Sequence, residues 1–217
     1  MPLSASDEAL ARFLVALRSA GIRNPALIEA LEAFPRRLFL PPALREEAHA
    51  PYPLPLAAGA EATEPMTVAR MLDAAAISPG QRVIEVGAGS GWQTALISRH
   101  TRRLVTIERR RSLAEAAARI FDRLGVRGVD IRHEDALDPG EALEPADVVI
   151  VNGTPPGTPD AVPQALRRLL RPGGRMVLPL GPLDGGQRLF VLEGDAEPRP
   201  IAPSRYPPLQ IGRSEAL

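Results

Sequence analysis

Apolar residues recur at helical spacing through the first third of the chain. Leu10, Phe13, Leu14 and Leu17 fall at i, i+3, i+4 and i+7, one face of an amphipathic helix that Gly21 can end. Asn24-Pro25 then supplies an N-cap and a first-turn proline, and Leu27, Ile28, Leu31 and Phe34 form the stripe of a second helix. Seven prolines follow, at 35, 41, 42, 51, 53, 55 and 65, and they predict an extended, turn-rich segment long enough to be a functional loop. Val68, Met71, Leu72 and Ala75 mark a third, short helix.

From Gln81 the period alternates between strand and helix. Arg82–Val86, Leu104–Glu108, Val129–Arg132 and Asp147–Val151 read as short apolar strands, with Arg175–Leu180 and Leu189–Glu193 further on. Trp92–Ser98 reads as a helix. Another opens with the capping box Ser112-Leu-Ala-Glu115, buries Leu113, Ala117, Ile120 and Leu124, and stops at Gly125. A last helix starts at Thr158-Pro159, carries Val162, Leu166, Leu169 and Leu170, and ends at Pro172-Gly173-Gly174. Such alternation predicts an α/β fold with a doubly wound, mostly parallel sheet and an N-terminal helical extension. The expected organisation is a helical and loop region over 1–80 and an α/β core over 81–217, forming one compact domain.

Composition narrows the chemistry. The 217 residues contain no cysteine, which removes disulfides, thiolate metal sites and a cysteine nucleophile. All 26 basic residues are arginine, so neither a Schiff-base lysine nor a Walker-type phosphate loop is available. They balance 26 acidic residues, so no global field favours nucleic acid or a membrane surface. His49, His100 and His133 are too scattered for an evident metal cluster, and no metal is expected. No apolar run is long enough to span a membrane, and the first residues do not read as a signal peptide, so a cytoplasmic protein is expected.

The chemical signal lies in Val83-Ile-Glu-Val-Gly-Ala-Gly-Ser-Gly-Trp92. Gly87, Gly89 and Gly91, with Ala88 and Ser90 between them, join a buried strand to a helix start. There the backbone can approach a ligand and free N–H groups face an anion. The G-x-G-x-G spacing is not the G-x-G-x-x-G of a dinucleotide site. Glu85 adds negative charge that suits a cationic ligand and repels phosphate. Glu108, ending the next strand, can accept both ribose hydroxyls of a nucleoside. Asp135-Ala136, after the third strand, can meet an adenine edge, and Asn152, after the fourth, can contact the ligand or cap a turn. S-adenosylmethionine combines a carboxylate, cationic centres and a nucleoside, and four elements in this order point to it.

Motifs beyond the glycine loop carry a more specific likeness. Ala20-Gly-Ile-Arg-Asn-Pro25, Phe34-Pro-Arg-Arg-Leu-Phe-Leu-Pro41, Leu54-Pro-Leu56 and Val68-Ala-Arg-Met71 resemble the N-terminal signatures of the protein-L-isoaspartate O-methyltransferase family. Leu170-Arg-Pro-Gly-Gly-Arg-Met-Val-Leu-Pro-Leu-Gly181 and Gly185-Gly-Gln-Arg188 resemble its late motifs, and Tyr206-Pro-Pro-Leu209 is similar to a C-terminal segment near its substrate cleft. The resemblance implies a Rossmann-like methyltransferase fold. It further implies methyl transfer from S-adenosylmethionine, leaving S-adenosyl-L-homocysteine, to the α-carboxylate of isoaspartyl residues in damaged proteins or peptides. On the same ground Thr63 stands where the family has a serine that can orient the acceptor, and Glu64, Leu178 and Pro179 fall in substrate-binding positions. A monomer or weak homo-oligomer is expected. A carboxylate acceptor is ionised at neutral pH and needs no general base, which suits a chain with few histidines.

One segment departs from the family. Its substrate loop usually reads Gly-Gln-Thr-Ile-Ser; here it is Gly59-Ala-Glu-Ala-Thr-Glu-Pro65. A glutamate about 5 Å from an anionic substrate costs roughly 3 kcal/mol at an effective dielectric near 20. Isoaspartate binding therefore requires Glu61 and Glu64 to point outward or to pair with Arg36, Arg37 or Arg205. Otherwise the same fold would serve a different acceptor, or hold S-adenosylmethionine without turnover.

Overall fold

The computed structural model describes residues 5–139, 143–156, 162–194 and 196–215. Helices α1 (Ala5–Ser19) and α2 (Pro25–Ala33) form where the apolar stripes predict them. Asn24 Oδ1 caps α2 by accepting from the Ala26 and Leu27 N–H groups at 3.1 and 3.4 Å. The proline-rich segment is more ordered than expected. Two 3₁₀ turns, Arg36–Phe39 and Pro42–Glu47, lead into an antiparallel pair, β1 (Leu54–Pro55) and β2 (Glu61–Ala62), before α3 (Pro65–Ala75).

The core follows as β3 (Arg82–Val86), α4 (Trp92–Ile97), β4 (Arg103–Ile107), α5 (Arg111–Leu124), β5 (Val129–Arg132), β6 (Ala146–Val151), α6 (Gln164–Arg167), β7 (Leu170–Leu180), β8 (Arg188–Glu193) and β9 (Arg199–Pro203). The seven-stranded sheet runs β5-β4-β3-β6-β7-β8-β9, parallel as far as β7 and antiparallel for β8 and β9. Among the described residues, no helix is long and apolar enough to cross a membrane.

Period-two alternation along the central strands builds two cores. Val83, Leu104, Val148 and Ile150 face the layer formed by α1 to α5; Ile84, Val86, Val105, Ile107, Val149 and Val151 face the other side. The helical extension therefore packs on the same face as α4 and α5. Trp92 ties it there by donating its indole N–H to the Phe34 carbonyl at 2.8 Å.

Two local expectations need correction, a third falls partly outside the described residues, and one strand was not expected. Ser112 and Glu115 form no capping box: α5 begins at Arg111, Ser112 Oγ is buried without a partner, and Glu115 pairs with Arg119 on the helix surface. The end of α5 is satisfied instead by the distant Ser214 carbonyl, which accepts from the Arg111 N–H at 3.0 Å. Leu170 opens β7 rather than closing a helix, because Pro172-Gly173-Gly174 form an irregularity within the strand, between the Ala146–Leu170 and Val148–Arg175 pairs. The start proposed at Thr158-Pro159 lies outside the described residues, and α6 covers only Gln164–Arg167. Strand β9 escapes the periodicity because it carries Pro200 and Pro203, which a sheet tolerates at an edge.

Candidate active site

The chain leaves β3 toward β4 and β5 on one side and returns to β6 on the other. This reversal opens a crevice at the carboxyl ends of the central strands. The register sets its floor: Val86 pairs with Ile107 and Val151, and Ile107 with Arg132. Gly87, Glu108, Asn152 and the segment leading to Asp135 therefore leave neighbouring strands at one level. The cleft they line is closed by two further walls, residues 59–63 beside β2 and residues 205–210 near the C-terminus.

Gly87 and Gly89 have φ of +87° and +53°, conformations a side chain would strain. A Cβ at Gly87 would lie 3.3 Å from Asn152, and one at Gly89 would face Leu56 and the Glu61 carbonyl across the cleft. Gly91 plays another part. It sits outside the lining, and a Cβ there would strike Phe121 at 2.9 Å, so it lets α4 pack against α5. Ser90 lines the cleft, and its hydroxyl accepts from the Trp92 N–H at 3.4 Å.

The acidic residues divide into two kinds. Glu108 lines the cleft, its carboxylate accepting from the Gly89 N–H at 3.0 Å and the Arg110 N–H at 2.9 Å, so it locks the glycine loop to β4. Asp135 also lines it, with Ala136, and accepts from the Leu137 N–H at 2.9 Å and the Gly212 N–H at 2.6 Å. Glu85 does not reach the cleft. It is fully buried beneath the loop and accepts from the Thr94 and Thr106 hydroxyls and from Asn152 Nδ2. Burial pushes its carboxyl up to about 7 against the opposing pull of those donors. Its charge thus acts through a tie joining β3, β4, α4 and Asn152. Asn152 passes the tie on to the Gly87 carbonyl at 3.0 Å, while its Oδ1 is buried without a partner.

Thr63 lies across from the glycine loop, where Arg36 fixes its backbone. The Arg36 guanidinium is 1% exposed and donates to the carbonyls of Ala48, Ala62 and Thr63 at 2.8, 3.1 and 2.8 Å. It lies over the Trp92 ring, 5.6 Å from the centroid. Burial lowers its pKa to about 10, with the neighbouring Glu64 opposing that shift, so it remains a cation at neutral pH. Glu64 itself is outside the cleft lining and accepts from the Thr67 hydroxyl at 2.7 Å, at the start of α3. Glu61 is exposed at the rim. Glu61 thus faces solvent at the cleft, while Glu64 lies in the field of Arg36 and is hydrogen-bonded by Thr67. Leu178 and Pro179 are buried in β7, Leu178 within the core, and neither lines the cleft.

Sequence reasoning missed Gln93. It follows Trp92 in α4, lines the cleft, is 6% exposed, and leaves its Nε2 donor without a partner. The available signal was a polar residue directly after the glycine loop, at the start of its helix. Among the described residues, no His, Asp and Glu cluster could hold a metal.

A glycine-lined cleft at the switch point, with Glu108 and Asp135 at consecutive strand ends and an unpaired buried amide oxygen on Asn152, fits a nucleoside-bearing sulfonium cofactor. The fold and site define a Rossmann-like, S-adenosylmethionine-dependent methyltransferase. Residues 8–206 match the family model for protein-L-isoaspartate(D-aspartate) O-methyltransferase. The chain is 39% identical over 212 residues to the protein-L-isoaspartate O-methyltransferase of Methylorubrum populi, covering 95% of this chain and 97% of that one. It is 35% identical over 190 residues to that of Myxococcus xanthus, covering 88% and 85%. A solved Plasmodium falciparum structure, assigned as a protein-L-isoaspartate O-methyltransferase and in complex with S-adenosyl-L-homocysteine, shares the fold with a TM-score of 0.76, 18% identity, and coverage of 96% and 99%. The chain belongs to the protein-L-isoaspartate O-methyltransferase family.

Proposed function

We propose that this cleft methylates the α-carboxylate of L-isoaspartyl residues in aged proteins and peptides, and that Thr63 orients the acceptor. The observation that carries the assignment is the Thr63 position: its carbonyl is held by buried Arg36, and the residue lines the same cleft as the glycine loop. Bound S-adenosylmethionine supplies an electrophilic methyl group. Glu108 would hold the ribose hydroxyls, Asp135 and Ala136 the adenine, and Gly87 to Ser90 with Asn152 the amino-acid end. Gln93 offers a further free donor at the cleft.

The residues at the acceptor end do little bond chemistry. An isoaspartyl carboxylate enters already ionised, and the buried Arg36 cation raises the local potential against Glu64. A hydrogen bond donated by the Thr63 hydroxyl to one carboxylate oxygen would leave the other free to face the methyl carbon, so rate comes from alignment and exclusion of water. Balanced charge supports proteins and peptides, rather than nucleic acid, as partners. The same reading takes the enzyme as cytoplasmic and monomeric or weakly associated.

The test is methyl transfer from labelled S-adenosylmethionine to paired peptides differing only in Asp or isoAsp. Transfer to the isoAsp member alone is expected. Tight cofactor binding without transfer to either would overturn the reading, and reverting Glu61 and Glu64 to neutral residues would then precede a search for another acceptor.

A further inference from the structure

Tyr206 is held more firmly than any packing role requires. Gln187, 5% exposed, grips its backbone from both sides: the Tyr206 N–H donates to Gln187 Oε1 at 2.8 Å, and Gln187 Nε2 donates to the Tyr206 carbonyl at 3.0 Å. Thr154 adds its hydroxyl to the same carbonyl at 3.4 Å. The ring is buried, with 3% exposure, yet Tyr206 lines the cleft. With backbone and ring fixed, the phenol oxygen has one remaining freedom, the direction of its proton.

Two groups act on that phenol. The hydroxyl donates to Met71 Sδ, while Thr63, on the wall of the same cleft, interacts with it through its own hydroxyl and draws its pKa down. A thioether is a weak acceptor and a hydroxyl a good one. Burial, together with the fields of Glu64 and Glu85, pushes the phenol above its ordinary pKa. The group is therefore a donor and cannot serve as a base.

Thr63 has a single proton to give. Facing Tyr206 alone, it can donate to the phenol oxygen while the phenol donates to sulfur. An arriving carboxylate demands that proton, and the Thr63 oxygen is then left needing a donor. We propose that Tyr206 is a positioning residue for the acceptor carboxylate: its phenol turns from Met71 Sδ to Thr63 Oγ1 as Thr63 turns its own proton onto the substrate. The inference rests on the isoaspartyl reading above and adds a residue to it. The chain Tyr206 O–H to Thr63 O–H to carboxylate runs in one direction, so each bond polarises the next. No bond to carbon changes and no proton leaves either residue.

Gln187 and Tyr206 are far apart from Thr63 in sequence, and the arrangement gives each a common purpose. The glycines before Gln187 allow its close approach: a Cβ at Gly181, where φ is +118°, would lie 3.0 Å from Gln187 Cα.

The test is a double-mutant cycle on an isoAsp peptide. Tyr206→Phe is expected to lower kcat/KM about five- to tenfold, mostly through KM, with the Kd for S-adenosylmethionine unchanged. The same loss is expected in Thr63→Ser, which keeps the hydroxyl, and no further loss in Thr63→Val, which removes it. Equal losses in both backgrounds, or none in the wild-type background, would overturn the relay. Met71→Leu, close in volume, supplies an independent arm: removing the sulfur should leave KM equal or lower, and a raised KM would place the working contact at Met71 and overturn the proposal. An inactive wild-type enzyme would instead defeat the isoaspartyl reading itself, a result visible before any variant is compared.

Discussion

Glu85 links the residue scale to solution behaviour. Its carboxyl moves from 4.5 to about 7 on folding because burial outweighs three hydrogen-bond donors. Between those values the folded protein keeps a proton that the unfolded chain releases. Its contribution to stability is thus fully present below about pH 4.5 and lost as pH rises through 7, a change of about 3 kcal/mol. Glu85→Gln should flatten this slope when urea midpoints are followed from pH 4 to 8. His49 and His100, whose burial lowers their pKa, act in the opposite sense, and comparing wild type with variant cancels them. An unchanged slope in the variant would refute the assignment. Gly91 offers a steric counterpart. With φ at +81° and Phe121 2.9 Å from a would-be Cβ, Gly91→Ala should destabilise by about 2–4 kcal/mol in denaturant unfolding. A loss under 1 kcal/mol would mean that α4 and α5 can part more easily than their contact suggests. From sequence alone Glu85 and Gly91 both read as ligand contacts. What separates them from Gly87 and Glu108 is the face of the strand or turn each presents to the cleft, and a motif does not record that.

At the scale of elements, the C-terminal segment from Tyr206 to Glu215 decides how closed the cofactor cleft is. Pro208 bridges Thr154 and Ser214 bridges Arg110, while Arg109 donates to the Gly212 carbonyl at 2.8 Å and to Gln210 Oε1 at 2.7 Å. Asp135 fixes Gly212 from the opposite wall. Ending the chain after Tyr206 should raise the Kd for S-adenosylmethionine at least about tenfold in calorimetry, the worth of one or two charge-assisted bonds. Wild-type affinity in the shortened chain would show that the strap leaves the cofactor alone. Only its Tyr206–Leu209 part was legible, through resemblance to a family segment; the rest was not, since it carries no apolar period and its partners, from Arg109 to Thr154, lie far back in the sequence. It also explains why the Ser112 capping box misled: local chemistry suggested a side-chain cap, and a remote carbonyl took the position. The central strands were legible within a residue or so because burial on both faces leaves nearly continuous apolar runs bounded by glycine and charge. The hairpin β1–β2 was not, because two-residue strands are too short to show a period, and Arg36, distant in sequence, helps hold β2 through the Ala62 carbonyl.

For the whole molecule, the question is whether the front third is an appendage or part of the core. Phe13 and Leu17 of α1, Leu27 and Leu31 of α2, and Val68 and Met71 of α3 belong to one continuous cluster with Trp92, Phe121, Val83, Leu104 and Ile150. Backbone acceptors of the front segment are also used by the core: Arg123 donates to the Leu38 carbonyl, Arg175 to that of Ala74, and Trp92 to that of Phe34. Removing residues 1–80 would strip the helical cover from much of one sheet face and take those acceptors away. The expected thermal transition is therefore single, with calorimetric and van't Hoff enthalpies in agreement, and a chain of residues 81–217 should show no cooperative melt. Two resolved transitions, or a cooperative melt in the shortened chain, would make the helices a separate domain. The same coupling bears on catalysis. Arg36 holds the Thr63 backbone at the cleft, and Arg36 is itself buried against Trp92. A substitution that loosens α1 or α2, such as Leu17→Ala at a fully buried position, should cost about 2–5 kcal/mol of stability. It should also raise KM for the isoAsp peptide before it weakens cofactor binding. Parallel loss of both affinities would contradict that order and place the cofactor half of the site under the same control.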